Sequence, residues 1–331
     1  MEKGRSIRDT RRWKTGVMVA FGVLVVIAFL LGNGLGTMQV SVSRIFEVLF
    51  SNDGSPERLV IWDIRLPRMI VGALVGVNLA LSGAILQGVM SNPLADPTII
   101  GISAGAGLAG IIILILFPHL QFLVQIAAFF GALGAAILIY ILAWKGGIQP
   151  LRIILAGVAV AAFLGAGISA LMVFYSDRVH GALTFMNGSM SARSWPEVVT
   201  ILPYSIVGVA ASLFMSQRLN ILVLGDDTAR GLGLSVERTR MGLTAIAALL
   251  AASAVSVVGL LGFVGLIIPH SARLLLGTNH RLLLPGSMLL GAAVVMLSDT
   301  FARTAFSPTE IPVGIVMAVL GAPFFLYLLR R

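Results

Sequence analysis

The feature that most constrains this chain is the length of its uncharged stretches. Between Lys14 and Arg44 lie 29 residues without Asp, Glu, Lys or Arg, residues 69–95 form a second such run of 27, and residues 97–144 a third of 48. A helix crossing the hydrocarbon core of a bilayer needs roughly 20 apolar residues. The first two runs therefore each predict one span, and the third predicts two with a turn near Pro118 and His119. Apolar runs over 153–176, 198–217, 282–298 and 311–329 add one span each. Residues 241–272 exceed one span and are interrupted by glycines and Pro269, which predicts a full helix to about Val258 and then a shorter, irregular one. The expected fold is all-α, a polytopic membrane protein of about ten transmembrane helices. Composition agrees, because 11% charged and 58% hydrophobic residues cannot keep a soluble surface wet, where a soluble domain carries roughly a quarter charged residues.

A net charge of +9 raises the question of nucleic acid, which needs the basic residues clustered on one face. They instead divide by loop. With the N-terminus inside, Lys3, Arg5, Arg8, Arg11, Arg12, Lys14, Lys145, Arg152, Arg218, Arg230, Arg238, Arg240, Arg273, Arg281, Arg330 and Arg331 fall on the inner side. Arg44, Arg58, Arg65, Arg68, Arg178, Arg193 and Arg303 fall on the outer side. With the acidic residues included, the inner face carries about +10 and the outer about −1, so the positive-inside rule sets both termini in the cytoplasm. The basic start (1–14) and the apolar run after it are read as a membrane helix because no A-x-A-like cleavage site follows. There is no cysteine, hence no disulfide or thiolate site.

One permease domain over 1–331 is expected, with three longer connections outside the bilayer: outer loops at 37–63 and 177–195 and a cytoplasmic loop at 219–240. In the first, Val42, Ile45, Phe46, Leu49 and Phe50 share a face and predict a short helix lying on the membrane surface. The second is polar and Gly-rich. Gly101-Ile102-Ser103-Ala104-Gly105 and Gly105-Ala106-Gly107-Leu108-Ala109-Gly110 fit nucleophile-elbow and dinucleotide patterns, but they sit in an apolar span without strands or triad partners. Small residues there, at Gly72 and Gly76 and at Gly131 and Gly134 allow helices to approach closely. His119, His180, His270 and His280 share no ligand spacing, so no protein-bound metal is expected. Asp299, with Arg303 at i+4, is the one acidic residue at a span end, so the carboxylate relay of an ion-coupled carrier is missing.

Several ordered motifs point further. Ile64-Arg65-Leu66-Pro67-Arg68, residues 83–88 (GAILQG), Asn92-Pro93-Leu94-Ala95-Asp96-Pro97 and residues 101–107 resemble the FecCD-type permeases, which import iron-siderophores, haem and cobalamin. Residues 225–234 (GDDTARGLGL), 262–270 (GFVGLIIPH), 310–314 (EIPVG) and 320–323 (LGAP) continue the resemblance to the C-terminus. It implies a type II ABC importer permease in the bacterial cytoplasmic membrane. Such a subunit pairs with a second copy or a paralogue, receives ligand from an extracytoplasmic binding protein and is driven by two ATPase subunits. ATP and Mg would bind those subunits, and this chain would hold no cofactor and no nucleic acid.

The same resemblance implies residue roles. Arg65, Arg68 and Arg303 would dock the binding protein's glutamates, the alternative being arginines that snorkel to headgroups. Gly225, Asp226, Asp227, Ala229, Arg230, Gly231, Leu232, Gly233 and Leu234 would couple to the ATPase as two short helices hinged near Gly231 and Gly233. Asn92, Pro93 and Leu94 would form an inner gate, or equally a simple turn. A second gate position near Pro150 and Leu151 lacks the small hydroxyl residues of some members. Asn78, Gln87, Met172, Met186 and Met190 are the candidates to line a wide pathway. An iron-siderophore is the expected cargo, with haem or cobalamin as alternatives. From another class, an ATPase-independent secondary transporter or channel is the runner-up, and an intramembrane enzyme would need an acid–base pair or metal cluster that the spans lack.

Overall fold

The computed structural model describes residues 10–51, 54–98, 101–145 and 149–329. Lys3, Arg5, Arg8, Arg330 and Arg331 of the charge assignment lie outside the described residues. Within them the chain is helical: α1 (Arg11–Gly34), α2 (Val42–Phe50), α3 (Pro56–Leu59), α4 (Leu66–Val89), α5 (Ile102–Leu116), α6 (Val124–Ala143), α7 (Pro150–Phe174), α8 (Val179–Asn187), α9 (Trp195–Leu222), α10 (Asp226–Gly231), α11 (Val236–Val258), α12 (Val264–Leu276), α13 (His280–Thr304) and α14 (Val313–Leu329). Seven helices are long and apolar enough to cross a membrane, and α5, α12 and α14 are shorter apolar helices, which together make ten. The turn at Pro118 and His119 is a 3-10 segment between α5 and α6, as the sequence predicts.

Helix starts follow local chemistry. Thr10 caps α1 through Trp13 N at 3.3 Å and Ser41 caps α2, while Glu197 reaches back to Ser194 N at 2.9 Å to form the capping box of α9. α4 is the hub, buried along almost its whole length and packed by α9, α11, α12 and α13. Around it, α1, α6, α7 and α9 expose the large apolar side chains Val19, Phe130, Phe163 and Phe214.

Glycine sets the closest contacts. Gly76 of α4 faces Gly291 of α13 so tightly that a Cβ on either would run into the other's carbonyl, and Gly105 of α5 meets Gly131 of α6 in the same way. Gly134, by contrast, faces open space. Gly291→Val is expected to cost at least about 1–3 kcal/mol, because the obstacle is backbone and cannot rotate away. Thermal unfolding of the purified chain checks this, and an unchanged midpoint would mean the α4–α13 seam is slack.

Four local expectations change. Residues 177–195 are not a plain loop, since α8 occupies nearly half of the segment. In 219–240 only α10 is a separate short helix, because the second half is the first turn of α11. Pro269 sits inside α12, and the break in the apolar run falls earlier, at 259–263, where Gly259 has φ +80. On α2, Ile45 and Val48 face inward against Val40 and Ile61, leaving Val42, Phe46 and Phe50 exposed. The single face drawn through Ile45 and Phe46 is therefore divided.

Candidate functional site

The outer end of the bundle gathers residues far apart in the chain. Arg65 and Arg68 stand at the start of α4, and Arg303 stands on the last turn of α13. The last carbonyls of α1 have no helical partners, and a helix C-terminus carries partial negative charge. Arg65 Nη1 donates to Asn33 O at 2.7 Å and its Nη2 to Met38 O at 2.5 Å, while Arg303 Nη2 donates to Gly32 O at 2.6 Å. Two arginines thus cap the outer end of α1.

Arg68 has a different task. Its Nε and Nη2 donate to the two carboxylate oxygens of Asp299 at 2.8 and 2.9 Å, and Nη1 reaches Glu310 Oε2 at 2.9 Å. Bidentate pairing of this kind is directional and charge-assisted. Asp299 is 1% exposed and Glu310 37%. The sequence places Asp299 beside Arg303 at i+4, but the described partner of Asp299 is Arg68, because α4 packs against that face of α13. The three arginines predicted for docking do converge, with Arg65 and Arg68 turned into the protein and Arg303 half-buried.

A second feature is an open cavity of about 1090 Å³ between α5, α7, α8, α12 and α14. Its wall is mostly apolar, including Ile168, Leu260, Phe263 and Ala318, with Asp96, Thr98, Ser103 and Asn187 as the few polar groups. Large, sparsely polar concavities suit bulky ligands. Met186 lines it, and the other four pathway candidates do not. Asn78 is buried and donates to Ser205 Oγ at 2.8 Å and Ser253 Oγ at 3.0 Å, tying α4 to α9 and α11. Gln87 bridges Gly265 O and Arg273 between α4 and α12, Met190 is buried in the core, and Met172 packs half-buried against it.

Two further residues of the cavity are Phe263 and Asp96. Phe263, held at φ +68, packs on Gly321 of α14, and a bulky residue at positive φ persists only where its surroundings hold it. Asp96 accepts from Thr98 N at 2.8 Å and from the Thr98 hydroxyl, and its carboxyl faces Gly265 at the start of α12. Burial pushes the Asp96 carboxyl above the usual range, while the Thr98 hydrogen bonds pull it back. Both residues lie in the quoted motifs, but nothing in their spacing says that they share a cavity.

Beside Asp96, Asn92 Oδ1 accepts from Leu94 N at 2.9 Å and closes an Asx turn over Pro93 at the inner end of α4. Further along the inner face, α10 ends in a Schellman motif. Gly233 N donates to Arg230 O at 2.9 Å and Leu234 N to Ala229 O at 3.0 Å, with Gly233 at φ +80, where a glycine is needed. The helix is held by Arg240 Nη2 on Asp226 Oδ1 at 2.8 Å and by buried Ala229. Asp227, Arg230, Gly231 and Leu232 remain exposed, with Gly225 exposed ahead of the helix. This surface mixes charge with an apolar tip, the composition of a protein interface.

Comparison with known proteins places this architecture. The chain matches the FecCD transport family over residues 24–331. It is 39% identical to the iron(3+)-hydroxamate import system permease protein FhuG of Bacillus subtilis over 328 residues, covering 95% of this chain and 96% of that protein. Identity is 45% over 280 residues with the cobalamin import system permease protein BtuC of Halobacterium salinarum, 84% of this chain and 75% of that one. It is 37% with the hemin transport system permease protein HmuU of Yersinia pestis, over 95% and 96%. A solved structure described as an inward-facing ABC transporter of metal-chelate type superposes with a TM-score of 0.86 at 30% identity, covering 96% of this chain and 99% of that one. Motifs, ten apolar helices and alignments along nearly the whole length agree, and the chain belongs to the FecCD transport family.

Proposed function

We propose that this chain is the transmembrane permease subunit of an ATP-driven importer that carries an iron chelate of the siderophore type into the cytoplasm. The observation that carries the reading is the open, sparsely polar cavity of about 1090 Å³ walled by α5, α7, α8, α12 and α14, in a chain whose relatives include an iron-hydroxamate permease. A bulky chelate enters such a space by shape, and the iron arrives inside its chelator as cargo. The 45% identity to a cobalamin permease keeps cobalamin as the second reading.

In this reading the chain works in the bacterial cytoplasmic membrane beside a second permease, its own copy or a paralogue. Two ATPase subunits hold ATP and Mg and seat α10, and the exposed surface from Asp227 to Gly233 supports that assignment. An extracytoplasmic binding protein docks at the outer end, where Arg303 is half-buried and Arg68 already holds the partly exposed Glu310. The Asn92-Pro93-Leu94 turn serves as the inner gate beneath the cavity. ATP-dependent uptake of ferric hydroxamates, ferric citrate, haem and cobalamin into vesicles holding the assembled complex is the test. Uptake of a ferric chelate that requires ATP is expected. Uptake driven by a proton gradient without ATP would overturn the reading in favour of a secondary transporter.

A further inference from the structure

A separate pocket of about 330 Å³ opens where α5, α6, α8 and the end of α11 meet near the outer face. Its polar lining is Gln121, Gln125, Thr184, Ser189, Arg193 and Ser256. Arg193 is the one cation, and its side chain makes no hydrogen bond and no ion pair among the described residues; Nε is sealed from solvent without an acceptor. Glu197 is the nearest acid, yet its carboxylate is occupied. Oε2 accepts from Ser194 N and Oγ at 2.9 and 3.0 Å, and Oε1 accepts from Gln125 Nε2 at 3.1 Å. Thr184 and Ser256 donate their hydroxyls to His180 O and Ser253 O, and as neutral groups they do not balance the charge of the arginine. The Glu197 charge attracts the guanidinium from beyond hydrogen-bonding distance, and Arg68 of the neighbouring cluster opposes it. Arg193 is half-buried; a sealed Nε without an acceptor is costly, and phosphate oxygens match the guanidinium fork bidentately. Phe117 and Phe122 on the connection from α5 to α6, and Ile126 at the start of α6, are exposed next to the lining residues Gln121 and Gln125.

We propose that this pocket is an oxyanion site in which Arg193 binds a phosphate group, supplied by the headgroup of an anionic phospholipid whose chains lie along Phe122 and Ile126. The site is independent of the transport reading. It predicts that the full chain, purified in detergent and titrated with phosphatidylglycerol, retains one lipid molecule in native mass spectrometry. Arg193→Gln should weaken retention at least tenfold, with Arg193→Lys intermediate because it keeps the charge without the fork. Gly181→Leu is a second variant that leaves Arg193 untouched. Gly181 lines the pocket and a Cβ there meets only Leu114 at 3.8 Å, so the added side chain should narrow the pocket and cause the same loss. Inorganic phosphate, added to the delipidated chain and followed by thermal shift, distinguishes the source. Saturable stabilisation by phosphate that depends on Arg193, without variant-sensitive lipid retention, would keep the oxyanion site and replace the lipid by a free anion. Equal behaviour of the wild-type chain, Arg193→Gln and Gly181→Leu toward both probes would overturn the proposal.

Discussion

Asp299→Ala is expected to destabilise the folded chain by about 3 kcal/mol, because it leaves the Arg68 guanidinium buried with its bidentate partner gone. Removing one member of a buried ion pair costs roughly 3–5 kcal/mol. Glu310 keeps one contact with Arg68 and holds the loss to the lower part of that range. The companion variant is Arg68→Met with Asp299→Leu, which removes both charges and fills similar volume. It should recover most of the loss, since an apolar pair avoids the desolvation that the ion pair carries. Denaturant titration of the purified chain measures both. A single variant as stable as the wild type would show that the pair is idle, and a double variant as weak as the single would show that Asp299 acts through something other than Arg68.

The other large effect concerns transport. Ala229→Pro should reduce ATP-driven uptake at least tenfold while leaving the melting of the helical bundle nearly unchanged. Proline removes the bond from Ala229 N to Gly225 O at 2.9 Å and cannot be accommodated in a six-residue helix without breaking it. α10 lies outside the long spans and gives the core only Ala229 at its edge, so its loss should leave the spans packed. Uptake at the wild-type rate would remove α10 from the coupling role, and a collapse in stability would mean that it supports the fold instead.

Much of the architecture was legible because its signals are local. Uncharged runs marked the spans, and the positions of Gly259, Gly262 and Pro118 marked two interruptions within them. α8 was not legible: it ends at Asn187, and Gly188 and Ser189 follow so closely that the segment reads as a polar loop. The end of α10 was half legible, because Gly231 and Gly233 announce a turn but do not say that the chain then enters α11 directly. For the site, the arginine motif correctly marked special positions, while the partners it requires lay elsewhere. Asp299 is 231 residues from Arg68 in the chain, and sequence proximity favoured Arg303 instead. Polar residues inside spans were equally ambiguous. Asn78 is used to tie three helices together, whereas Asp96, at the edge of a turn, faces the cavity.

By itself, then, the sequence determined that this chain belongs in a membrane and where its apolar helices lie, and its loop charges set the expected orientation. Those properties are one-dimensional, since about 20 apolar residues in a row and the sign of the flanking charges suffice to set them. Only the tertiary structure decided that Arg65 and Arg303 cap α1, that Arg68 belongs to Asp299, that Met186 alone of the five candidates reaches the cavity and that Arg193 is left without an acceptor. Inside a bundle a polar side chain bonds to whatever neighbour the packing presents, and the glycine contacts that set the packing join residues as distant as Gly76 and Gly291.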